Sequence, residues 1–137
     1  MKILLTGKPG AGKTTVLQKV KNYGDMQQFG ILSREIRDED ARRVGFEAVN
    51  MQGVLKTFAH TTEITSEHVV NGKFFVDLAV IDGFVVPEIV KGKNNLEALI
   101  FIDEIGRMQT YSKKFSEAVA DLLDSESNVL ATIVLAP

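Results

Sequence analysis

No cysteine occurs in the 137 residues, which removes disulfides, thiolate metal sites and cysteine nucleophiles together and suits a reducing compartment. Only His60 and His68 could offer imidazole ligands, and neither has acidic or thiol partners at metal-ligand spacing, so both read as structural or surface histidines. No apolar run approaches the roughly 18 residues needed to span a bilayer. The opening Met1 to Lys8 has too short an apolar stretch for a signal peptide, so a cytoplasmic location and no membrane partner are expected. Basic residues (16) do not outnumber acidic ones (18), and a net charge of -2 gives no footprint for wrapping nucleic acid. Any phosphate must be gripped locally. What is present is an ordinary globular composition, 45% hydrophobic and 25% charged, at the length of one domain.

Three short apolar runs, Ile3 to Leu5, Leu99 to Ile102 and Val129 to Leu135, read as strands buried on both faces of a parallel sheet. Phe115, Ala118, Val119, Leu122 and Leu123 share one helical face behind Ser112, a plausible N-cap. Val16 to Val20 reads as a helix ending near Gly24, and Phe29 to Ile36 as another strand. Alternating strand and helix argue an α/β fold. Val44 to Val49 and Val54 to Ala59 flank the turn-rich Asn50-Met51-Gln52-Gly53 and predict an antiparallel hairpin inserted near 43–60. Asp77 should cap a helix through Ile81, and Pro87 should open another that ends near Gly92.

Directly after the first strand stands Gly7-Lys8-Pro9-Gly10-Ala11-Gly12-Lys13-Thr14, which fills every required position of the phosphate-loop pattern. Its glycines let backbone amides turn inward as an anion nest, and the following helix adds its positive end. Lys13 would reach the β and γ phosphates as a point charge, and the Thr14 hydroxyl would coordinate a magnesium ion. The loop grips phosphates, not a base.

Leu99 to Glu104 is a strand delivering two carboxylates at its C-terminal end, where open parallel sheets place their ligands. Asp103 is the expected magnesium partner, acting through a water. Side-chain alternation then turns Glu104 to the other face, free to activate a water at the γ-phosphate. Asp103-Glu104-Ile105-Gly106 also spells the D-x-x-G of small GTPases, but Lys93-Asn94-Asn95-Leu96 does not supply a guanine-reading box. Base selectivity should therefore be loose. The nucleotide-binding residues expected are Gly7, Lys8, Pro9, Gly10, Ala11, Gly12, Lys13, Thr14 and Thr15, with Ile102, Asp103, Glu104, Ile105 and Gly106.

Several blocks together resemble the Thep1-type nucleoside-triphosphatases: Ile3 to Thr15, Gly30 to Arg37, Arg43-Val44-Gly45-Phe46, Gly72 to Leu78 and Ile102 to Met108. The resemblance covers almost the whole chain. It implies a P-loop NTPase three-layer sandwich of the RecA-like branch with a mostly parallel sheet, and an extra strand between the phosphate-loop strand and the acidic strand. It also implies magnesium-dependent hydrolysis of several NTPs, with Glu104 as the catalytic glutamate. The pattern departs at Arg107-Met108-Gln109, where the family usually has lysine and glutamate flanking the methionine. Members continue past the strand Asn128 to Leu135, so a single domain over 1–137 with its C-terminal elements missing, and an open edge at the first strand, is expected.

Phosphoryl transfer commonly needs an arginine against transition-state charge. Arg107, nearest the acidic pair in sequence, is the first candidate, followed by Arg34 or Arg37 because Gly30 to Ile36 should lie beside the site. Glu35 and Thr132 are candidate sensors of water or γ-phosphate, the latter against an ordinary strand threonine. Phe46, Phe58, Phe74, Phe75 and Phe84 read as core or hairpin packing, with stacking on a nucleobase as the alternative role for one of them. Hydrolysis, transfer to a nucleotide or nucleoside acceptor, and nucleotide-gated binding with little turnover all remain compatible with these residues.

Overall fold

A computed structural model describes residues 1–8 and 10–134. Pro9, Leu135 and the terminal Ala136-Pro137 lie outside the described residues. Eight strands form one sheet: β1 (Lys2–Leu5), β2 (Gln27–Arg37), β3 (Arg43–Asn50), β4 (Leu55–His60), β5 (Val69–Val70), β6 (Phe74–Val76), β7 (Ala98–Ile105) and β8 (Asn128–Ile133), in the order β1-β8-β7-β2-β3-β4-β6-β5. The helices are α1 (Lys13–Tyr23), α2 (Leu78–Val80), α3 (Val86–Val90) and α4 (Lys113–Asp124).

The sheet has two halves. β1, β8, β7 and β2 run parallel to their neighbours. From β2 outward every pairing is antiparallel. The expectation of a mostly parallel sheet is therefore corrected to a mixed one. The reason is the inserted segment, which is longer than a hairpin: after β3 and β4, the short β5 and β6 add themselves to the same edge. Within the hairpin, the Asn50 side chain accepts from Gln52 N and Val54 N, and Gly53 takes φ 84°, so the Asn-x-x-Gly turn forms for the reason its residues suggest.

Two cores flank the sheet and make three layers. Along β7, Leu99 and Phe101 point to one face, where they pack with Leu17 of α1, Leu32 and Leu130. Ile100 and Ile102 point to the other, where they meet Phe115, Val119 and Leu122 of α4 and Ile89 of α3. The continuous apolar run of β7 thus reflects burial on both faces. β1 does not share it: its only neighbour among the described residues is β8, and Ile3 and Leu4 are 41% and 43% exposed. The open edge is observed, and the two-faced burial expected of this strand is not.

Ser112 caps α4 by accepting from Phe115 N at 3.0 Å, and Asp77 caps α2 by accepting from Ala79 N at 3.0 Å. The two separate helices expected after Asp77 are one continuous run, because a π-helical turn over Ile81–Val85 carries α2 directly into α3. Widening the turn there accommodates Pro87, which has no N–H to donate.

Gly30 fixes the distance between β2 and β7. Its φ is 102°, and a Cβ there would stand 1.9 Å from the Phe101 carbonyl oxygen. Gly30→Ala should destabilise the fold by about 3 kcal/mol or more through combined backbone strain and overpacking, read as a lower urea midpoint.

Candidate active site

The parallel half of the sheet converges on a cleft of about 420 Å³. Its floor is the loop between β1 and α1. Gly10 and Gly12 take φ 83° and 93°, conformations that L side chains avoid, and Gly12 is the N-cap of α1. Gly7, Gly10, Lys13 and Thr14 line the cleft. Lys8 and Ala11 form the outer turn, with Ala11 N donating to Lys8 O at 3.0 Å, and Thr15 is exposed on the first turn of α1. Lys13 Nζ donates to Gly7 O at 3.0 Å and lies 3.9 Å from Glu104 Oε2. One cation therefore spans the loop and the acidic strand.

Asp103 is the most constrained group in the site. It is 3% exposed, and its carboxylate accepts from Thr14 Oγ1 at 3.0 Å, Ser33 N at 3.2 Å and Thr132 Oγ1 at 2.7 Å. Ser33 Oγ also donates to the Asp103 carbonyl. Three elements, α1, β2 and β8, thus aim donors at one carboxyl. Thr132 is fully buried and spends its hydroxyl on Asp103, so its contact is with the acid and not with open cleft.

Both acids of β7 line the cleft, Asp103 against Thr14 and Thr132 and Glu104 against Lys13. The β7–β8 register is interrupted between Ile102 and Ile105, and an irregularity of this kind re-aims side chains at strand ends. Burial pushes the Glu104 carboxyl above the ordinary glutamate range, Lys13 opposes that rise, and Asp103 adds to it. Ile102 and Ile105 pack into the larger core and do not line the cleft, whereas Gly106 gives room beside Glu104.

Of the arginines, Arg107 lines the cleft and donates to Asn71 Oδ1 at 2.9 Å. Arg34 is on the surface beside Glu47 at 3.8 Å, and Arg37 pairs with Glu35. Glu35 also meets Arg43 at 3.2 Å, and that pair lines the cleft together. Arg43 thus lines the cleft although the sequence reading ranked Arg107, Arg34 and Arg37 ahead of it. The far wall is aromatic: Phe46 packs on Phe58 and Phe74 with centroids 6.3 and 5.3 Å away, and Arg43 lies 5.6 Å over the Phe46 ring. His60 is buried and accepts from Thr62 N and Glu63 N, as a structural histidine does. Ser33, Arg43 and Gln109 are the site residues that sequence reading missed. Only the block Gly30 to Arg37 hinted at Ser33, whose backbone N and hydroxyl both donate to Asp103.

An anion nest capped by a helix, a lysine reaching the acidic strand, and a threonine on the first turn of that helix bonded to the strand-end aspartate define a P-loop NTPase fold. A family model described as NTPase matches residues 2–136. The nucleoside-triphosphatase THEP1 of Thermotoga sp. (strain RQ2) is 38% identical over 133 residues, 97% of this chain and 74% of that protein. THEP1 of Aquifex aeolicus (strain VF5) is 34% identical over 139 residues, 97% of this chain and 77% of that protein. The crystal structure of THEP1 from the hyperthermophile Aquifex aeolicus superimposes with TM-score 0.86 at 32% identity, covering 99% of this chain and 78% of that one. The solution structure of a human cancer-related nucleoside triphosphatase gives TM-score 0.79 at 27% identity, covering 99% and 77%. The chain belongs to this family of nucleoside-triphosphatases.

Thr132→Val keeps shape but removes a donor from a buried carboxylate. It should cost about 2 kcal/mol of stability in urea titration. It should also weaken nucleotide binding, read in a fluorescent-analogue titration.

Proposed function

We propose that the chain hydrolyses nucleoside 5′-triphosphates, ATP and GTP among them, to diphosphate and phosphate, slowly, with magnesium and with loose base preference. The observation that carries this reading is the meeting of Lys13, Thr14, Asp103 and Glu104 in one cleft. β8 lies between the phosphate-loop strand β1 and the acidic strand β7, which supports a RecA-like arrangement.

The donor set suits magnesium. Thr14 Oγ1 donates a hydrogen bond to Asp103 at 3.0 Å, which leaves hydroxyl lone pairs for a hard cation, and Asp103 would orient a water on that ion. The ion, when bound, would neutralise charge on the β and γ phosphates. The loop amides and Lys13 hold the phosphates, and Arg107 or Arg43 can approach the transferred group from the opposite wall. Glu104 takes a proton from the attacking water. A carboxylate raised above its usual pKa is a stronger base than an ordinary one. Nothing in the loop reads a base, which supports broad substrate use.

Glu104→Gln should bind Mg-ATP at near-parent affinity and lose about 100-fold or more of phosphate release. The raised pKa means that ionised Glu104 opposes folding near neutral pH, so this variant should melt at or above the parent temperature. Parent-like turnover would sink the role of Glu104. Phosphate release should fall toward acid with a midpoint above the roughly 4.3 of a free glutamate. Lys13→Ala should lose nucleotide affinity in a fluorescent-analogue titration, and phosphate release from an NTP panel with and without magnesium tests the reaction itself.

A further inference from the structure

Gln109 has no part in the scheme above, yet it lies 4% exposed at the wall of the same cleft. Its Oε1 is the one buried side-chain polar atom without a hydrogen-bond partner among the described residues. Buried acceptors are nearly always satisfied, so an orphan beside a reacting centre points to a donor that arrives with the ligand. The place is narrow. A Cβ on Gly106 would stand 2.9 Å from Glu104 Oε1 and 3.0 Å from Gln109 Oε1, so the two oxygens converge over the space that glycine leaves open. The other oxygen of Glu104 faces Lys13 at 3.9 Å. One carboxylate therefore meets Lys13 with one oxygen and converges on Gln109 with the other.

The backbone holds this arrangement firmly. Thr110 N and Thr110 Oγ1 both donate to Gly106 O, at 3.0 and 2.9 Å, and Ser112 N donates to Gln109 O at 3.0 Å. The short helix Gln109–Tyr111 is thereby tied to the turn after β7 on one side and to the cap of α4 on the other.

We propose that Gln109 is a second holder of the attacking water: its carbonyl and Glu104 Oε1 accept the water's two hydrogens, so the site selects a nucleophile with two hydrogens over an alcohol. This rests on the hydrolytic reading and specifies it. An alcohol has one hydrogen to offer and would leave one of two buried acceptors without a donor, the arrangement that discriminates most strongly in polar sites. In the step itself the water oxygen bonds to the γ-phosphorus as the bond from that phosphorus to the β,γ-bridging oxygen breaks. The bond's electron pair leaves with the diphosphate. One water proton passes to Glu104, and the other stays on the new phosphate, guided by Gln109.

The test is Mg-ATP turnover in aqueous methanol, with inorganic phosphate and methyl phosphate counted by phosphorus NMR. Gln109→Met has similar length and no acceptor oxygen. It should lose about tenfold in kcat with KM unchanged, and its methyl phosphate to phosphate ratio should rise at least about threefold. Gln109→Glu keeps an acceptor in place and should retain the parent ratio. Gly106→Ala, whose new methyl group meets only side-chain ends, should fold and shift the ratio in the same direction as Gln109→Met. An unchanged ratio in both Gln109→Met and Gly106→Ala, including no methyl phosphate from either, overturns the proposal. So does a Gln109→Glu variant that behaves like Gln109→Met. A parent protein that releases no phosphate overturns the hydrolytic reading beneath it, which separates the two failures.

Discussion

A carboxylate removed from water must be surrounded by donors, and the placement of Asp103 organises much of this molecule. Its three donors come from the start of α1, the middle of β2 and the end of β8, which are far apart in sequence. They meet only if β2, β7 and β8 pair in the observed register. The site is therefore a property of the sheet. Gly30 acts in the same network from a distance, since it allows β2 to approach Phe101 closely enough for Ser33 to reach Asp103.

The two halves of the sheet divide the work. The parallel half collects the phosphate loop and the acids at one end, as parallel strands do when their C-terminal ends share an edge. The antiparallel half supplies a wall, with Phe46, Phe58 and Phe74 packed against each other and Arg43 and Glu35 at the rim. This wall closes the cleft opposite the loop. Glu104 stands inside this cleft, and burial is the main cause of its raised pKa.

Much of this was legible in the residues. The phosphate loop, the acidic pair, the Ser112 and Asp77 caps and the hairpin turn at Asn50 each depend on side chains within a few positions, so local chemistry determines them. The division between Asp103, held by Thr14 and Thr132, and Glu104, beside Lys13, falls where the β7–β8 register is interrupted, and no local pattern announces that interruption. Arg34 and Arg37 follow Arg107 in the sequence reading because their strand should lie beside the site; β2 does pair with β7, yet Arg34 faces Glu47 on the surface and Arg43 of β3 lines the cleft. The residue beside an acid in space sits on a neighbouring strand, and pairing register is not a local property.

By itself, the sequence determined that a phosphate nest precedes a helix, that a buried strand ends in two acids, and that a β-rich segment interrupts an α/β pattern. Glycine freedom, helix capping and hydrophobic periodicity act over a handful of residues, and these features need nothing more. Only the tertiary structure decided that the sheet is half antiparallel, that Thr132 and Ser33 serve Asp103, and that Gln109 shares a glycine-sized opening with Glu104. Those outcomes depend on which strands lie side by side and at what offset, and that is settled by burying both faces of the sheet at once.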